Sequence, residues 1–251
     1  MSCQKTVVEV QDLVFDYHGA KALRGVSFCI EHGERVGLIG PNGAGKSTLL
    51  LHLNGLLVGH GRVEIDGRVL EKKDMDWVRA KVGLVFSDPE DQLFMPTLLE
   101  DVAFGPLNMG LEHEKAMEIA SEALEQMGLG DMKDRTSHHL SDGERRKAAI
   151  STVLSMKPAV WALDEPAANL DPRSRNQLIA LLRQLPGTVI IASHDLDLVA
   201  QVCDRCLVLD GGKLVADDSV MKILSDYDLM ELHGLEVPLR VELDKCRKGR
   251  E

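Results

Sequence analysis

The 251-residue chain has few aromatic residues, few cysteines and no long hydrophobic run. Aromatic residues make up 4% of it, and its five cysteines are odd in number and scattered. Small disulfide-held proteins are dense in cysteine, so we expect no disulfide framework here and a reducing compartment. The longest uncharged stretch, residues 47–61, contains two histidines, Asn54 and three glycines, which excludes a transmembrane helix there.

Positive charge is also scarce. Lys and Arg number 29 against 40 Asp and Glu, which gives a formal net charge of −11. General nucleic-acid binders usually present a basic face, so we expect no nucleic-acid partner. The N-terminus acquires Glu9 and Asp12 before any hydrophobic run, which argues against a secretory signal. We therefore expect a cytoplasmic protein, attached to a membrane at most through a partner.

The chain is rich in short apolar runs separated by helical patterns. Runs such as VGLVF (82–86) and TVIIA (188–192) are typical of buried parallel strands, whose two faces are covered by helices. Two further strands are predicted near the N-terminus, on either side of a turn at 18–19. Leucines at three- and four-residue spacing in 173–185 indicate a helix. This alternation predicts an α/β fold.

Residues 91–156 interrupt the alternation, because they contain no convincing strand. An apolar stripe that includes Ala116, Ala120 and Leu124 instead predicts a helix ended by Gly128. The simplest arrangement is a helical subdomain inserted into an α/β core. The predicted division is one domain at 6–240, with its core at about 6–90 and 157–220, the helical subdomain at about 91–156, and a polar tail at 241–251. The basic tail is either a frayed terminus or a contact for anionic lipid.

The most specific motif is GPNGAGKST at 40–48, which matches G-x-x-x-x-G-K-[ST]. Between a predicted strand and a predicted helix, its glycines let several backbone N–H groups point at one phosphate, and the helix N-terminus adds partial positive charge. Lys46 is expected to reach the β- and γ-phosphates of a nucleotide, and the Ser47 hydroxyl to ligate Mg²⁺. The predicted nucleotide contacts are Gly40, Pro41, Asn42, Gly43, Ala44, Gly45, Lys46, Ser47 and Thr48.

An acidic pair, Asp164 and Glu165, follows the apolar run AVWAL (159–163). In open α/β sheets ligands bind beyond the carboxyl ends of the strands, which is where this run would deliver both carboxylates. Asp164 is predicted to hold Mg²⁺ or its water, and Glu165 to act as general base for an attacking water. An acidic pair after a strand is by itself more often a helix N-cap, and the phosphate loop upstream favours the catalytic interpretation.

The segment LSDGE at 140–144 leads into the helix RRKAAISTVLSM. With the motifs above, it resembles the LSGGQ signature of ATP-binding cassette (ABC) ATPases, with Asp142 and Glu144 in place of Gly and Gln. In that family the signature caps the γ-phosphate of the opposite subunit, so two cassettes enclose two ATP molecules. The resemblance implies that Ser141 and Gly143 make this contact. The alternative is an ordinary capping box formed by Ser141 and Glu144.

The resemblance covers about residues 6–225. It implies a P-loop NTPase (RecA-like) core with a mostly parallel sheet, N-terminal antiparallel strands and an inserted α-helical subdomain. It also implies ATP and Mg²⁺ as cofactors, and a second ATP-binding cassette, either identical or paralogous, as a partner.

Three further positions match the motifs of the family in order. Asp171, in the sequence NLD, resembles the loop that couples the two ATP sites across the dimer. His194 resembles the switch histidine that contacts the γ-phosphate and orients the water, although a lone histidine at a strand end is usually structural. Tyr17 matches the aromatic residue that stacks on adenine, and the alternative is a half-buried strand tyrosine. The implied catalytic residues are Glu165, His194 and Lys46.

One position departs from the family pattern. After the strand VGLVF the family normally has a glutamine that helps to hold Mg²⁺ and the attacking water and senses the membrane partner, whereas this chain has Ser87. A serine hydroxyl can ligate through a water but has a shorter reach. Gln92, five residues on, is an alternative source of the amide. The departure affects the expected metal geometry, turnover and coupling, and not nucleotide binding.

SDPEDQLF (87–94) and DVAFGPLN (101–108) resemble the ATPases of energy-coupling-factor importers. Those take up cobalt, nickel or vitamins through a transmembrane scaffold and a separate substrate-binding membrane component. The LSDGE variant and Ser87 are similar to the cobalt/nickel branch. Metal specificity is not expected in this chain, because Cys203 and Cys206 form a lone C-x-x-C without a second pair.

We therefore expect an ATPase subunit of a membrane importer, peripheral on the cytoplasmic face of the cell membrane, whose two cassettes close on ATP and reopen after hydrolysis. The surface around 87–94 and the helical subdomain is expected to receive the membrane scaffold. Two alternatives remain. One is a soluble ABC ATPase acting on DNA or ribosomes, although the chain shows no long coiled coil or basic excess. The other is a regulatory binder that closes on ATP without hydrolysing it, which Ser87 suggests.

Overall fold

The computed structural model describes residues 6–238 and Val241, and ten strands form two sheets within this part. The strands are β1 (Thr6–Tyr17), β2 (Ala20–Glu31), β3 (Arg35–Ile39), β4 (His60–Ile65), β5 (Arg68–Val69), β6 (Val82–Val85), β7 (Val160–Asp164), β8 (Thr188–Ala192), β9 (Arg205–Asp210) and β10 (Lys213–Ser219). The helices are α1 (Lys46–Leu53), α2 (Met75–Lys81), α3 (Leu98–Asn108), α4 (His113–Gln126), α5 (Asp142–Leu154), α6 (Pro172–Leu182), α7 (Leu196–Val202), α8 (Val220–Leu224) and α9 (Tyr227–Leu232). The predicted α/β class is confirmed.

The larger sheet has the strand order β10-β9-β3-β8-β7-β6, and its neighbours are parallel except for β10 with β9. Its short apolar strands are buried on both faces. Along β7 successive side chains point to opposite faces, so Val160 and Ala162 join one hydrophobic cluster, while Trp161 and Leu163 join the other. Helices cover both faces, as the continuous apolar runs predict.

The smaller sheet is antiparallel, with the order β2-β1-β4-β5. Its hairpin turns at His18 and Gly19, whose φ angles are 51° and 92°, and Asp16 Oδ1 accepts a hydrogen bond from Gly19 N–H at 3.0 Å. The predicted N-terminal strands are confirmed. β4 and β5 are not predictable from the sequence, because these strands are polar and largely exposed.

Between β6 and β7 the described chain contains helices and no strand. Apolar residues of α3, α4 and α5 form a shared core, among them Val102, Ala120, Leu124 and Ile150. Helix α4 ends as predicted, with Gly128 at a φ of 70° just beyond it. The predicted helical insertion is confirmed, whereas its status as a separate domain stays a prediction.

Beyond β9 the chain adds β10, α8 and α9, which the sequence analysis does not predict. Of the tail predicted at 241–251 only Val241, which is buried, lies within the described residues. In the part of the chain that the structure describes, no helix combines the length and the apolar character needed to cross a bilayer.

Candidate active site

The loop between β3 and α1 is curled so tightly that two of its positions admit only glycine. Gly40 and Gly45 have φ angles of 149° and 104°. A Cβ atom would lie 1.9 Å from Leu209 O at the first position and 2.6 Å from Ala22 O at the second. Gly43 also has a positive φ, 78°, but no heavy atom lies within 4 Å of a Cβ built there. This loop has the shape of a phosphate cradle.

Lys46 opens α1 and turns back over the loop. Its Nζ donates hydrogen bonds to the carbonyl oxygens of Gly40 at 2.8 Å and Pro41 at 3.1 Å. Burial lowers the pKa of Lys46, and the charges of Glu165 and Asp164 oppose that shift. The N-cap residue of α1 is a glycine with no side chain to cap the helix, so the first-turn N–H groups are available to an anion.

Asp164, at the end of β7, is buried, and the Ser47 hydroxyl lies beside its carboxylate. Burial raises the pKa of Asp164, and the interaction with the Ser47 hydroxyl opposes the shift. Its Oδ1 atom is buried and finds no hydrogen-bond partner among the described residues. A carboxylate oxygen without a partner beside a hydroxyl suits Mg²⁺, which prefers hard oxygen ligands. Ser47 and Asp164 therefore fit the metal that the sequence implies.

Glu165 and His194, the predicted base and switch histidine, are in contact. Glu165 takes a φ of 45°, and its N–H donates to Ala192 O at 2.8 Å. Its carboxylate accepts hydrogen bonds from His194 N–H at 3.1 Å and from the Ser193 hydroxyl at 3.2 Å, and His194 Nδ1 lies 2.8 Å from Oε2. The Glu165 side chain is 18% exposed and that of His194 is 65% exposed. The carboxylate is thus held in place while remaining open to a water molecule.

Ser141 is the N-cap of α5 and forms the capping box that the sequence offered as an alternative. Its hydroxyl donates to Glu144 Oε2 at 2.7 Å, and its N–H donates to the same atom at 2.8 Å. These hydrogen bonds lower the pKa of Glu144. A Cβ at Gly143 would lie 2.9 Å from Ser174 Oγ of α6. The nucleotide contacts of Ser141 and Gly143 require a second cassette and stay predictions.

Asp171 is the N-cap of α6. Its carboxylate accepts hydrogen bonds from Arg173 N–H at 2.9 Å, from Ser174 N–H at 3.2 Å and from the Ser174 hydroxyl. The hydroxyl contributes most to lowering the pKa of Asp171. One turn further on, Arg175 Nη2 donates to Asp195 Oδ1 at 2.7 Å. The start of α6 is therefore tied to Asp195, the residue after His194, and the role of Asp171 at a second ATP site stays a prediction.

Tyr17, at the end of β1, is 45% exposed. Its ring packs edge-to-face on Phe15 with centroids 4.9 Å apart, and Phe15 packs in the same way on His52 of α1 at 4.7 Å. An aromatic stack thus connects the exposed tyrosine to the helix that follows the phosphate loop. Stacking of Tyr17 on adenine stays a prediction.

The segment after β6, where the family has its glutamine, is fastened to α5. Gln92 Oε1 accepts a hydrogen bond from Phe86 N–H at 3.1 Å. Its Nε2 donates to Ala149 O at 2.9 Å and to Thr152 Oγ1 at 2.6 Å. Because these contacts occupy both ends of the amide, Gln92 does not supply the missing amide at the predicted metal site.

Arg146 of α5 is a site residue that the sequence analysis misses. It is 3% exposed, and its two Nη atoms donate to the carbonyl oxygens of Phe86 at 2.9 Å and Ser87 at 2.8 Å. A signal was present in its spacing. It precedes the buried Ala149 and Ile150 by three and four residues, which places it on the apolar face of α5. A charge on that face requires polar partners.

A groove of about 640 Å³ lies between α2, the segment after β6 and the helical insertion. We call this the insert groove, and its apolar lining includes Leu56, Phe86, Phe94, Phe104 and Met109. Phe94 and Phe104 are 60% and 44% exposed and pack edge-to-face at 5.1 Å. Contiguous exposed aromatic residues are typical of protein contact surfaces.

Known proteins share this sequence over almost its full length. Residues 23–168 match the ABC transporter family. The energy-coupling factor transporter ATP-binding protein EcfA of Carboxydothermus hydrogenoformans is 45% identical over 248 residues, which cover 97% of this chain and 92% of that protein. The EcfA protein of Methanothermobacter thermautotrophicus is 44% identical over 244 residues, with coverage of 94% and 78%.

Solved structures share the fold. The cbiO1 protein of Clostridium perfringens, part of the ABC transporter complex cbiONQ, has a TM-score of 0.80 at 33% identity, covering 96% of this chain and 100% of that one. A bacterial ABC transporter cassette solved as a dimer has a TM-score of 0.77 at 26% identity, with coverage of 85% and 98%. The fold agrees with these solved structures. The chain therefore belongs to the ABC transporter family, as one of its ATP-binding and ATP-hydrolysing cassettes.

Proposed function

We propose that this chain is the ATP-hydrolysing subunit of an energy-coupling-factor importer that takes up cobalt or nickel ions. The observation that supports the proposal is that the residues predicted to bind phosphate, bind metal and catalyse hydrolysis lie near one another at the carboxyl edge of the larger sheet. Lys46 lies over the phosphate loop, the Ser47 hydroxyl lies beside Asp164, and Glu165 is held against His194. The EcfA relatives support the importer type, and the likeness to cbiO1 together with the LSDGE signature supports the metal-ion branch.

Nucleotide binding in this proposal uses three groups of the chain. The phosphate loop and Lys46 hold the β- and γ-phosphates, and Tyr17 stacks on the adenine. Ser47 and Asp164 would hold Mg²⁺, which when bound neutralises charge on the phosphates. The Ser47 hydroxyl lies close enough to the Asp164 carboxylate to lower its pKa, which supports a shared role at one point beside the loop.

Hydrolysis in this proposal depends on Glu165, which takes a proton from the attacking water. His194 fixes the carboxylate through its N–H and ring nitrogen. A second cassette, identical or paralogous, contributes Ser141, Gly143 and Asp171. Because ATP binds more tightly to the closed pair than to the open one, binding and hydrolysis shift that equilibrium in turn.

The proposal also includes two membrane components, a transmembrane scaffold and a separate ion-binding component. The transmembrane scaffold docks into the insert groove, which keeps this chain peripheral on the cytoplasmic face of the membrane, and a separate membrane component binds the ion. Among the described residues, no group of three or more His, Cys, Asp or Glu is arranged to hold a metal ion. Cys203 is buried, and burial raises the pKa of its thiol to about 12, so it is a poor ligand.

The test is purification of the intact membrane complex that contains this chain, followed by reconstitution into lipid vesicles. We expect Co²⁺ or Ni²⁺ uptake that requires ATP and disappears in a complex carrying Lys46→Ala. Uptake of neither ion would contradict the metal-ion branch. Co-purification with nucleic acid in place of membrane proteins would favour the soluble class, and ATP binding without phosphate release in the complete complex would favour the regulatory binder.

A further inference from the structure

Hydrogen bonds join the segment 86–92 to α5, and each of the two donates to the other. Arg146 donates from α5 to the carbonyl oxygens of Phe86 and Ser87, at 2.9 and 2.8 Å. Gln92 returns from the end of the segment to α5 through its Nε2, while its Oε1 accepts the N–H at the start of the segment. Hydrogen bonds therefore join the segment to α5 at both ends of the segment.

The strand register places the start of this segment at the active site. β6 and β7 are parallel neighbours, with Val85 beside Leu163. β6 ends at Val85 and β7 at Asp164, so the segment that follows β6 leaves the sheet at the same edge as the Asp164–Glu165 pair. Burial lowers the pKa of Arg146, and the charges of that acidic pair are among those that oppose the shift. One buried guanidinium thus bonds the backbone at Ser87 and also senses the charges of the acidic pair.

We propose that Arg146 is a positioning residue for ATP hydrolysis, which fixes the main chain at Ser87 beside the acidic pair through its two carbonyl hydrogen bonds. A glutamine at this position reaches its target with its own long side chain. Serine has only a short hydroxyl, so its backbone must be held where that hydroxyl is useful. The planar fork of arginine suits two adjacent carbonyl oxygens, whereas a lysine ammonium is a point charge that cannot reproduce the fork.

The experiment compares Arg146→Lys and Arg146→Gln with Arg145→Gln. Arg145 precedes Arg146 on α5 and pairs with Glu90 and Asp142, without bonding the loop carbonyls, so it is a matched control. Three quantities are measured: ATP affinity of the full chain, kcat of the reconstituted complex, and hydrogen exchange of the Phe86 amide. We expect both Arg146 variants to lose about 10- to 100-fold in kcat, as displaced catalytic groups do, with ATP affinity unchanged and faster exchange at Phe86. Arg145→Gln should match the wild type in all three.

Wild-type kcat in Arg146→Lys would overturn the inference, because a positive charge alone would then suffice. Equal losses of ATP affinity and kcat would also overturn it, since Arg146 would then only stabilise the fold. If Arg146→Gln does not fold, Arg146→Lys still decides, because unchanged exchange at Phe86 refutes the fastening without any need for activity. The inference rests on the proposed function only through ATP turnover. A wild-type complex that hydrolyses ATP but imports no metal ion would therefore end the importer proposal and leave this inference standing.

Discussion

Two of the predicted site residues at the carboxyl edge of the larger sheet carry a buried charged group. Lys46 and Asp164 are both buried, and burial moves the pKa of the lysine down and that of the aspartate up, toward the neutral form in each case. Each charge opposes the shift of the other. Asp164 also keeps one oxygen without a hydrogen-bond partner among the described residues. A site that leaves buried charge incompletely compensated is prepared for a charged ligand.

Replacement of loop glycines should separate steric exclusion from backbone strain. Gly40→Ala places a methyl group 1.9 Å from Leu209 O, so β3 and β9 must move apart. Gly43→Ala meets no atom and should cost only the left-handed conformation, roughly 1–2 kcal/mol. Urea unfolding of both variants without nucleotide measures the difference. Equal losses of unfolding free energy would show that the contact with Leu209 is not what requires glycine.

Replacement of the proposed general base should stop turnover without affecting binding. Glu165→Gln removes the proton acceptor but keeps the size of the side chain, so phosphate release should fall about 10²- to 10⁴-fold. ATP affinity should stay at the wild-type value, and the ATP-bound cassettes should accumulate as a dimer. Titration calorimetry, phosphate release and size-exclusion chromatography with ATP measure these quantities, with Glu231→Gln on exposed α9 as the control. Undiminished phosphate release would remove Glu165 from this role.

At the scale of elements, the buried strands are predictable from the sequence, whereas the exposed strands are not. β3, β7 and β8 are continuous apolar runs with both faces covered, and each is found where the sequence predicts it. β4 and β10 are polar and partly exposed, so their hydrogen-bonded neighbours and not their composition define them. The phosphate loop was predictable because it is contiguous in sequence. The hydrogen bond from Arg146 to the carbonyl oxygen of Ser87 was not predictable, because the two residues are 59 positions apart in the sequence.

The two roles of Ser141 can be separated with a second helix cap. Thr97 forms the same capping box on α3 with Glu100, so Ser141→Ala and Thr97→Ala should each cost about 0.5–2 kcal/mol in unfolding free energy. Only Ser141→Ala should also weaken ATP-dependent dimer formation, because Ser141 is the proposed contact to the nucleotide of the second cassette. Chemical denaturation and sedimentation with ATP test both expectations. Identical dimer formation in the two variants would leave Ser141 with the cap alone.

At the scale of the whole molecule, the insert groove borders both the segment 86–92 and helix α5. The proposed transport cycle must couple binding of the membrane scaffold in this groove to ATP hydrolysis and to contact with the second cassette. Its lining includes Phe86, whose carbonyl Arg146 holds, and Gln92, whose amide reaches α5. The same helix begins at the signature. A protein seated in the groove would therefore touch both the segment 86–92 and α5, the helix that in the proposed function faces the second cassette.

A charge placed in the insert groove should detach the chain from its membrane partner without affecting its nucleotide site. Phe104→Asp puts a carboxylate among apolar residues at a position already 44% exposed, so the fold tolerates it while an apolar partner does not. Pull-down of the membrane components should fall to background, with ATP affinity of the isolated chain unchanged. The control is Leu232→Asp, a 76% exposed leucine on α9 outside the groove, which should keep the complex intact. A Phe104→Asp chain that still assembles would exclude this groove as the docking surface, whereas loss of assembly in both variants would show that added charge, and not its location, separates the subunits.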